Sequence, residues 1–184
     1  MSVKIVRSIP QDIWSQFVYA NPLANIFHTP EMFEVFTKAQ GYKPTLWAAL
    51  DQDHNPLALL LPVQVAVLDG LMRRVTTRSI VYGGVLWKPG KSGRQALAKL
   101  MQTYIQQAND ASLFTELRNL SDLNIIQPLL KENNFVYEPH LNYLINLNRS
   151  TESLFKDIGR HTRRNIRRAL KRKQIEIREV VKLE

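Results

Sequence analysis

The apolar positions of this chain change spacing repeatedly, from short strand-like runs to helical repeats. Residues 3–6 predict a strand, and Ser8 followed by Gln11 has the capping-box pattern that opens a helix. The run Thr29-Pro30-Glu31 predicts a second helix start, because it combines a hydroxyl cap, a proline whose fixed φ suits a first turn, and an acid near the positive helix end. The amino-terminal part is therefore predicted as one strand and two helices.

The middle of the chain has the pattern of paired strands. Two apolar runs, 45–50 and 57–68, are separated by turn formers at 51–56, which predicts an antiparallel hairpin. Residues 75–87 predict a further strand, in which Gly83-Gly84 permit a bulge or a close backbone approach. A meander of strands is therefore expected before the next helix.

Later elements alternate. Helical spacing at 94–108 is followed by a strand at 113–117, and Asn124 with Gln127 could cap another helix. We expect strands at 135–147 and 175–181, and between them a helix opened by Ser150 or Thr151. This order of elements predicts an α/β (α+β) fold with a mixed, mostly antiparallel sheet flanked by helices.

Composition narrows the class of protein. With 184 residues, 45% hydrophobic content and three Trp, the chain is expected to form one main globular domain. The absence of Cys excludes disulfides and thiolate metal sites. No metal centre is expected, because the four histidines show no close paired spacing. These are His28, His54, His140 and His161.

The sequence gives no sign of a membrane segment or a leader. The longest apolar stretch, 56–68, is interrupted by Pro62 and Gln64 and falls short of the roughly 20 residues that span a bilayer. The first residues lack a signal-peptide core. A soluble, cytoplasmic protein is therefore expected.

Charge is concentrated near the carboxyl end. Eleven of the 25 Lys and Arg residues lie between Arg149 and Arg178 with only three acids, so this stretch holds +8 of the net charge of +9. From 160 to 173 there are six Arg and two Lys, and the bidentate Arg fork suits phosphate. The candidate phosphate-binding residues share one helix: Arg160, Arg163, Arg164, Arg167, Arg168 and Lys171.

The partner of this basic helix is left open by the residues alone. On a helical wheel its apolar positions lie broadly opposite the charged face, so the helix could dock and still present charge. The partner could be tRNA, a pyrophosphate-linked sugar precursor or an anionic membrane surface. A solvated helix that is basic by chance is the alternative.

Three other motifs favour structural interpretations. The run 88–93 precedes a helix but fails the Walker spacing, so a plain helix-entry loop is favoured over a nucleotide site. Glu116 and Arg118 share a strand face, where an ion pair is favoured over acid–base catalysis. His28, at a helix entrance, is expected to cap or pack. The sequence identifies no catalytic residue.

Four segments together carry a family resemblance: 25–33, Gly83-Gly84, 115–119, and the Arg-rich helix after 144–147. In their order they resemble the amino-terminal half of the FemAB-like proteins. Those proteins are peptidyltransferases related to the GNAT N-acyltransferases and resemble two GNAT-like domains in tandem. Members use aminoacyl-tRNA to add amino acids to a peptidoglycan precursor.

The resemblance implies a division of the chain and a chemistry. Residues 1–148 would form a GNAT-like domain, and 149–184 a basic connecting helix with the first strand of a truncated second GNAT-like domain.

The final Leu183-Glu184 matches a common tag junction and suggests a fragment, which alone would lack half the active cleft. Met32 and Phe36 depart from the family pattern, which often carries Trp and then a phosphate-binding Lys at these positions.

The implied donor is aminoacyl-tRNA, with no resident cofactor, and the implied partner is tRNA or a phosphorylated cell-wall precursor. Acyl-CoA is a less expected donor, and its use would require a splayed sheet and a phosphate-sized loop at Lys88 to Gly93. A non-catalytic nucleic-acid-binding module that uses the same basic helix is the remaining alternative.

The phosphate role of the basic helix can be tested by charge removal. Changing Arg160, Arg164 and Arg167 together to Ala in the full-length protein should weaken binding of tRNA or of a phosphorylated precursor. It should also flatten the salt dependence, because fewer counterions are released on binding. An affinity that stays unchanged across a salt titration would contradict the phosphate role.

Overall fold

The computed structural model describes residues 2–66, 76–108, 112–140 and 145–172. The chain forms two compact units, Met1–Glu138 and Pro139–Glu184. The first contains the sheets and the second contains the basic helix. That the second unit begins a further GNAT-like domain stays a prediction.

The strands of the first unit form two four-stranded sheets with the orders β1-β3-β4-β7 and β2-β5-β6-β8. Neighbours are antiparallel, except that β6 and β8 run parallel. The expected mixed, mostly antiparallel sheet is confirmed. The strands are β1 (Lys4–Val6), β2 (Tyr42–Pro44), β3 (Trp47–Leu50), β4 (Pro56–Leu60), β5 (Pro62–Ala66), β6 (Thr77–Gly83), β7 (Leu86–Trp87) and β8 (Thr115–Asn119).

The helices lie near their predicted positions, and those of the first unit flank the sheets. In the first unit they are α1 (Gln11–Tyr19), a short 3-10 helix (Ile26–His28), α2 (Pro30–Lys38), α3 (Lys91–Ala108) and α4 (Gln127–Glu132). In the second unit they are α5 (Thr151–Asp157) and α6 (Arg160–Arg172). The Thr29 hydroxyl accepts from the Met32 N–H, and that of Ser150 accepts from the Ser153 N–H, so both predicted caps are confirmed.

Two apolar clusters hold the first unit together. One joins α3 to β3 and β4, with Leu97 and Leu100 fully buried and Trp47 packed edge-on against Tyr104 at 5.3 Å between ring centroids. The other places Trp14 of α1 near α2, whose Phe33 it meets edge-on at 5.4 Å. Trp14, Trp47 and Tyr104 are therefore core residues, and Phe33 packs partly buried against the second cluster.

Two predicted caps are wrong. Pro10 itself occupies the N-cap position of α1 with extended ψ, so Ser8 lies too far upstream to cap the helix. Asn124 does not cap α4, because the Asp122 carboxylate accepts from its backbone N–H and its side-chain amide and holds it in a local turn. Ile126 stands at that N-cap without a side-chain bond.

The carboxyl third also departs from expectation. The predicted strand at 135–147 is wrong for 135–140 and 145–147, where Pro139 removes a ladder donor and Val136 is 87% exposed. The predicted basic helix is divided in two, because Ile158 has extended backbone before Gly159. The expected strand at 175–181 lies outside the described residues.

Gly93 fixes how the entrance of α3 packs. A Cβ built on Gly93 would lie 1.8 Å from the carbonyl oxygen of Lys88, a backbone atom that cannot move without shifting the loop. Gly93→Ala should therefore lower the free energy of unfolding by about 1–3 kcal/mol in urea titrations. Ser92→Ala, in the same turn, is the matched control and should stay within about 0.5 kcal/mol of wild type. Equal effects of the two substitutions would contradict this packing constraint.

Candidate active site at a strand bulge

Two parallel strands separate at their carboxyl ends. The last residue pair between β6 and β8 is Gly83 with Asn119. The chain then turns through Gly84 into β7, which pairs with β4. Both glycines have left-handed backbone, with φ of +75° and +83°. In open α/β sheets, ligands bind where neighbouring strands diverge at their carboxyl ends, so this bulge is the candidate site.

The pairing of β7 sets the direction of its peptide groups. The Lys88 N–H donates to the Leu57 oxygen at 2.8 Å, and Leu86 lies opposite Leu59. Along an antiparallel strand, the N–H and C=O of one residue point to the same side, and those of the next residue point to the other side. The N–H and C=O of Val85 and of Trp87 therefore point away from β4. Val85 is buried, and no described residue accepts from its N–H. The Val85 N–H is therefore a donor available at the divergence.

The carbonyl groups at the bulge are held by one segment that precedes α2. The Asn21 side chain donates to the Trp87 oxygen at 2.9 Å, and the Asn25 side chain donates to the Gly83 oxygen at 3.1 Å. The His28 ring lies 3.1 Å from the Gly84 oxygen through Nε2. Side chains thus satisfy buried acceptors that would otherwise destabilise the bulge.

The protonation of His28 follows from its two partners. Its Nδ1 accepts from the Asn25 N–H at 3.1 Å, so the ring proton is on Nε2 and is donated to Gly84. The side chain is 1% exposed, and burial lowers the pKa of His28 although the bond to Gly84 acts in the opposite direction. His28 caps the 3-10 helix, as expected at a helix entrance.

The glycines are required by close approach as well as by φ. A Cβ on Gly83 would lie 2.2 Å from Asn25 Oδ1, and one on Gly84 would lie 2.0 Å from Asn119 Oδ1. Asn119 Nδ2 donates to the Leu117 oxygen at 3.3 Å, whereas its buried Oδ1 has no partner among the described residues. The side-chain amides of Asn25 and Asn119 therefore pack directly against the glycine backbone of the bulge.

The loop that enters α3 is open and basic. Lys88, Gly90 and Lys91 are exposed, and Gly90 has φ of +106°. The first N–H groups of a helix attract anions. The closed, uncharged loop that would exclude a phosphate-bearing donor is therefore not what residues 88–91 form, and the use of such a donor stays a prediction.

Glu116 and Arg118 form the predicted ion pair. Arg118 donates to the two carboxylate oxygens at 2.8 and 3.2 Å, which raises the pKa of Arg118. The guanidinium also lies 5.4 Å from the centroid of Tyr82, whose ring stacks with those of Phe27 and Phe36. The pair is partly exposed and fixes side chains beside the bulge.

In the second unit, α6 carries all six predicted phosphate-binding residues. Arg160, Arg164, Arg167, Arg168 and Lys171 are exposed, whereas Arg163 is half-buried and donates to the Lys156 oxygen. Arg167 lies 5.2 Å from the centroid of Phe155 in α5. The charged groups are thus available to a partner, and their phosphate role stays a prediction.

Two kinds of site are not found among the described residues. No group of three or more His, Asp or Glu side chains is arranged to hold a metal ion there. None of the described helices has both the length and the apolar character needed to cross a membrane.

Comparison with solved structures identifies the fold. A probable acetyltransferase aligns with a TM-score of 0.53 at 14% identity, over 82% of this chain and 100% of its own. A predicted acetyltransferase from Clostridium acetobutylicum, crystallised with acetyl-CoA, aligns with a TM-score of 0.50 at 10% identity, over 78% of this chain and 96% of its own. The chain has a GNAT-like fold.

An aminoglycoside 6'-N-acetyltransferase from Acinetobacter baumannii aligns at 14% identity with a TM-score of 0.49, over 79% of this chain and 98% of its own. No protein-family model matches the sequence, and no curated protein matches it. The two acetyltransferases with TM-scores of 0.53 and 0.50 confirm the GNAT-like expectation as a fold, and the FemAB-like resemblance stays a prediction.

Sequence reasoning missed most of this site. Asn21 was not singled out as a site residue, and Asn25 and Asn119 entered only through the family resemblance. The Val85 donor is a backbone group and leaves no mark in side-chain chemistry. The usable signal was Gly83-Gly84, which predicted the bulge.

The neutral state of His28 predicts a pH effect on stability. The unfolded chain binds a proton at His28 near its ordinary pKa of about 6.5, whereas the folded pKa is lowered. The neutral ring therefore contributes fully to stability above pH 7. As pH falls, the free energy of unfolding decreases by up to about 1.4 kcal/mol per pH unit. The free energy of unfolding, measured by urea titration between pH 8 and 5, should depend less steeply on pH for His28→Gln than for wild type. Parallel slopes would contradict the burial of a neutral ring.

Proposed function

We propose that this chain is an acyltransferase domain that moves an acyl group from an activated donor to an amine. The observation that carries the proposal is the glycine bulge where β6 and β8 separate, with the Val85 N–H directed away from β4. The GNAT-like fold supports the proposal, because its solved neighbours include acetyltransferases.

The chemistry requires positioning and charge stabilisation. The amine nitrogen attacks the acyl carbonyl carbon, a C–N bond forms, and the carbonyl oxygen becomes an oxyanion. The Val85 N–H would donate to that oxyanion, and one such donor contributes roughly a hundred- to a thousandfold in rate. The intermediate then expels the leaving group, which departs with the proton lost by the amine. No Ser or Cys nucleophile is needed.

For the donor, we propose the FemAB-like form, in which an aminoacyl ester of tRNA supplies the acyl group and a cell-wall precursor supplies the amine. The resemblance over four segments supports this form. The exposed arginines of α6 support it further, because both partners carry phosphates. Arg160, Arg163, Arg164, Arg167, Arg168 and Lys171 would bind those phosphates.

Acyl-CoA is the second candidate donor. The open basic loop at the entrance of α3 favours it, as does the neighbour crystallised with acetyl-CoA. Lys88 and Lys91 would then lie near the donor's phosphates, and the strand bulge would receive its acyl carbonyl. The amine-directed chemistry is the same for both donors.

A transfer assay distinguishes the donors. The full-length protein is incubated with a pyrophosphate-linked, amine-bearing muropeptide precursor and with either radiolabelled acetyl-CoA or tRNA charged with labelled amino acids. We expect label on the precursor from charged tRNA. Label from acetyl-CoA alone would establish the second candidate, and absence of transfer from both would contradict the proposed function.

A bulge variant ties transfer to the site. Gly84→Ala places a methyl group against Asn119 and strains the backbone, so transfer should fall by on the order of 100-fold. Gly159→Ala is the control, because its Cβ meets open space. Circular dichroism of both variants checks that they fold. Retained transfer in a folded Gly84→Ala variant would place the chemistry elsewhere.

A further inference from the structure

We propose that His28 is a positioning residue that aims the Val85 N–H at the reacting carbonyl by holding the peptide group between Gly84 and Val85. The inference rests on the proposed function for its chemical consequence. Its structural part, the orientation of one peptide group by one imidazole, can be tested without any substrate.

The geometry of the peptide bond links the two groups. Peptide bonds among the described residues are trans, so the Gly84 oxygen and the Val85 hydrogen point in opposite directions within one plane. His28 Nε2 lies 3.1 Å from that oxygen. Fixing the oxygen at this position therefore fixes the direction of the N–H on the other side of the plane.

Gly84 makes such a hold necessary. Its left-handed φ of +83° lies in a region that glycine shares with alternative conformations of similar energy. The peptide group between Gly84 and Val85 could therefore rotate. Its oxygen, in place of its hydrogen, would then face the divergence of β6 and β8. A hydrogen bond to the Gly84 oxygen favours the orientation in which the N–H is the group presented.

The imidazole is itself held on both sides. Its Nδ1 accepts from the Asn25 N–H, and the neighbouring Thr29 caps α2. The Trp14 indole donates to the His28 carbonyl oxygen at 2.7 Å, which anchors the backbone of the same residue. The ring therefore presents its Nε2 proton from a fixed position.

Donation by His28 would also strengthen the donor that it aims. Withdrawal of electron density from the Gly84 oxygen polarises the peptide group, and hydrogen bonds in series reinforce one another. The Val85 N–H would then bind a developing oxyanion more strongly than an isolated amide does. The role of His28 is thus to orient and polarise the donor, without contact to the reacting atoms.

The orientation can be measured at a single NMR signal. Gly84-Val85 is the only Gly-Val dipeptide in the sequence, so labelling with ¹³C-carbonyl glycine and ¹⁵N-valine gives one carbonyl–amide correlation. In His28→Phe, which removes the donor, the carbonyl and amide shifts should both move. In His28→Gln, whose side-chain amide can donate again, they should return towards wild type. The control is His140→Phe, at an exposed histidine.

The kinetic arm uses the donor that is active in the transfer assay. His28→Phe should lower kcat by on the order of 100-fold, the cost of one lost oxyanion donor, with little change in KM. His28→Gln should recover most of that loss. If His28 served folding alone, its substitution would instead reduce the fraction of active enzyme. The loss of kcat in each variant would then parallel its loss of unfolding free energy.

The outcomes separate the two proposals. Shifts that stay at the wild-type position in His28→Phe would overturn the positioning role. So would a folded variant with normal kcat. If wild type transfers no acyl group but the correlation moves and is rescued, the proposed function fails while the peptide hold stands.

Discussion

The structure depends on how hydrogen bonds are completed where β8 leaves β6. An unpaired carbonyl buried in a strand costs about 1–3 kcal/mol, and the bulge creates several such groups close together. Asn21, Asn25 and His28 supply the missing donors from a single segment. That segment is therefore part of the sheet's hydrogen bonding although it is not a strand.

This requirement connects the two halves of the core. The segment that supplies the donors lies between α1 and α2, which pack on one side of the sheet, while α3 packs on the other. The bulge is thus held from one side by side-chain amides and from the other by buried apolar groups. Such rigid support is what a site needs when its chemistry depends on the direction of a backbone N–H.

The sequence predicted much of the fold and little of the site, for different physical reasons. Strand and helix positions follow from apolar spacing and from strong local signals, such as Thr29-Pro30 and the turn at 51–56. The bulge was predicted because Gly83-Gly84 is a local signal too. The bonds from Asn21 to Trp87 and from His28 to Gly84 join residues 66 and 56 positions apart. No local pattern encodes such a pairing. The cap predicted at Asn124 is wrong because Asp122 binds its amide groups, and the one at Ser8 is wrong because the helix starts later, after Pro10.

The fit of Asn25 to Gly83 and of Asn119 to Gly84 has a consequence for how this sequence can change. In each pair the asparagine occupies the space that a glycine leaves empty, while the φ of +75° and +83° requires glycine at 83 and 84 whichever residue stands opposite. The energetic effects of substitutions within a pair should be strongly non-additive. Descendants of this chain would therefore keep both glycines, while the asparagines could change only to side chains that leave the glycine backbone its space.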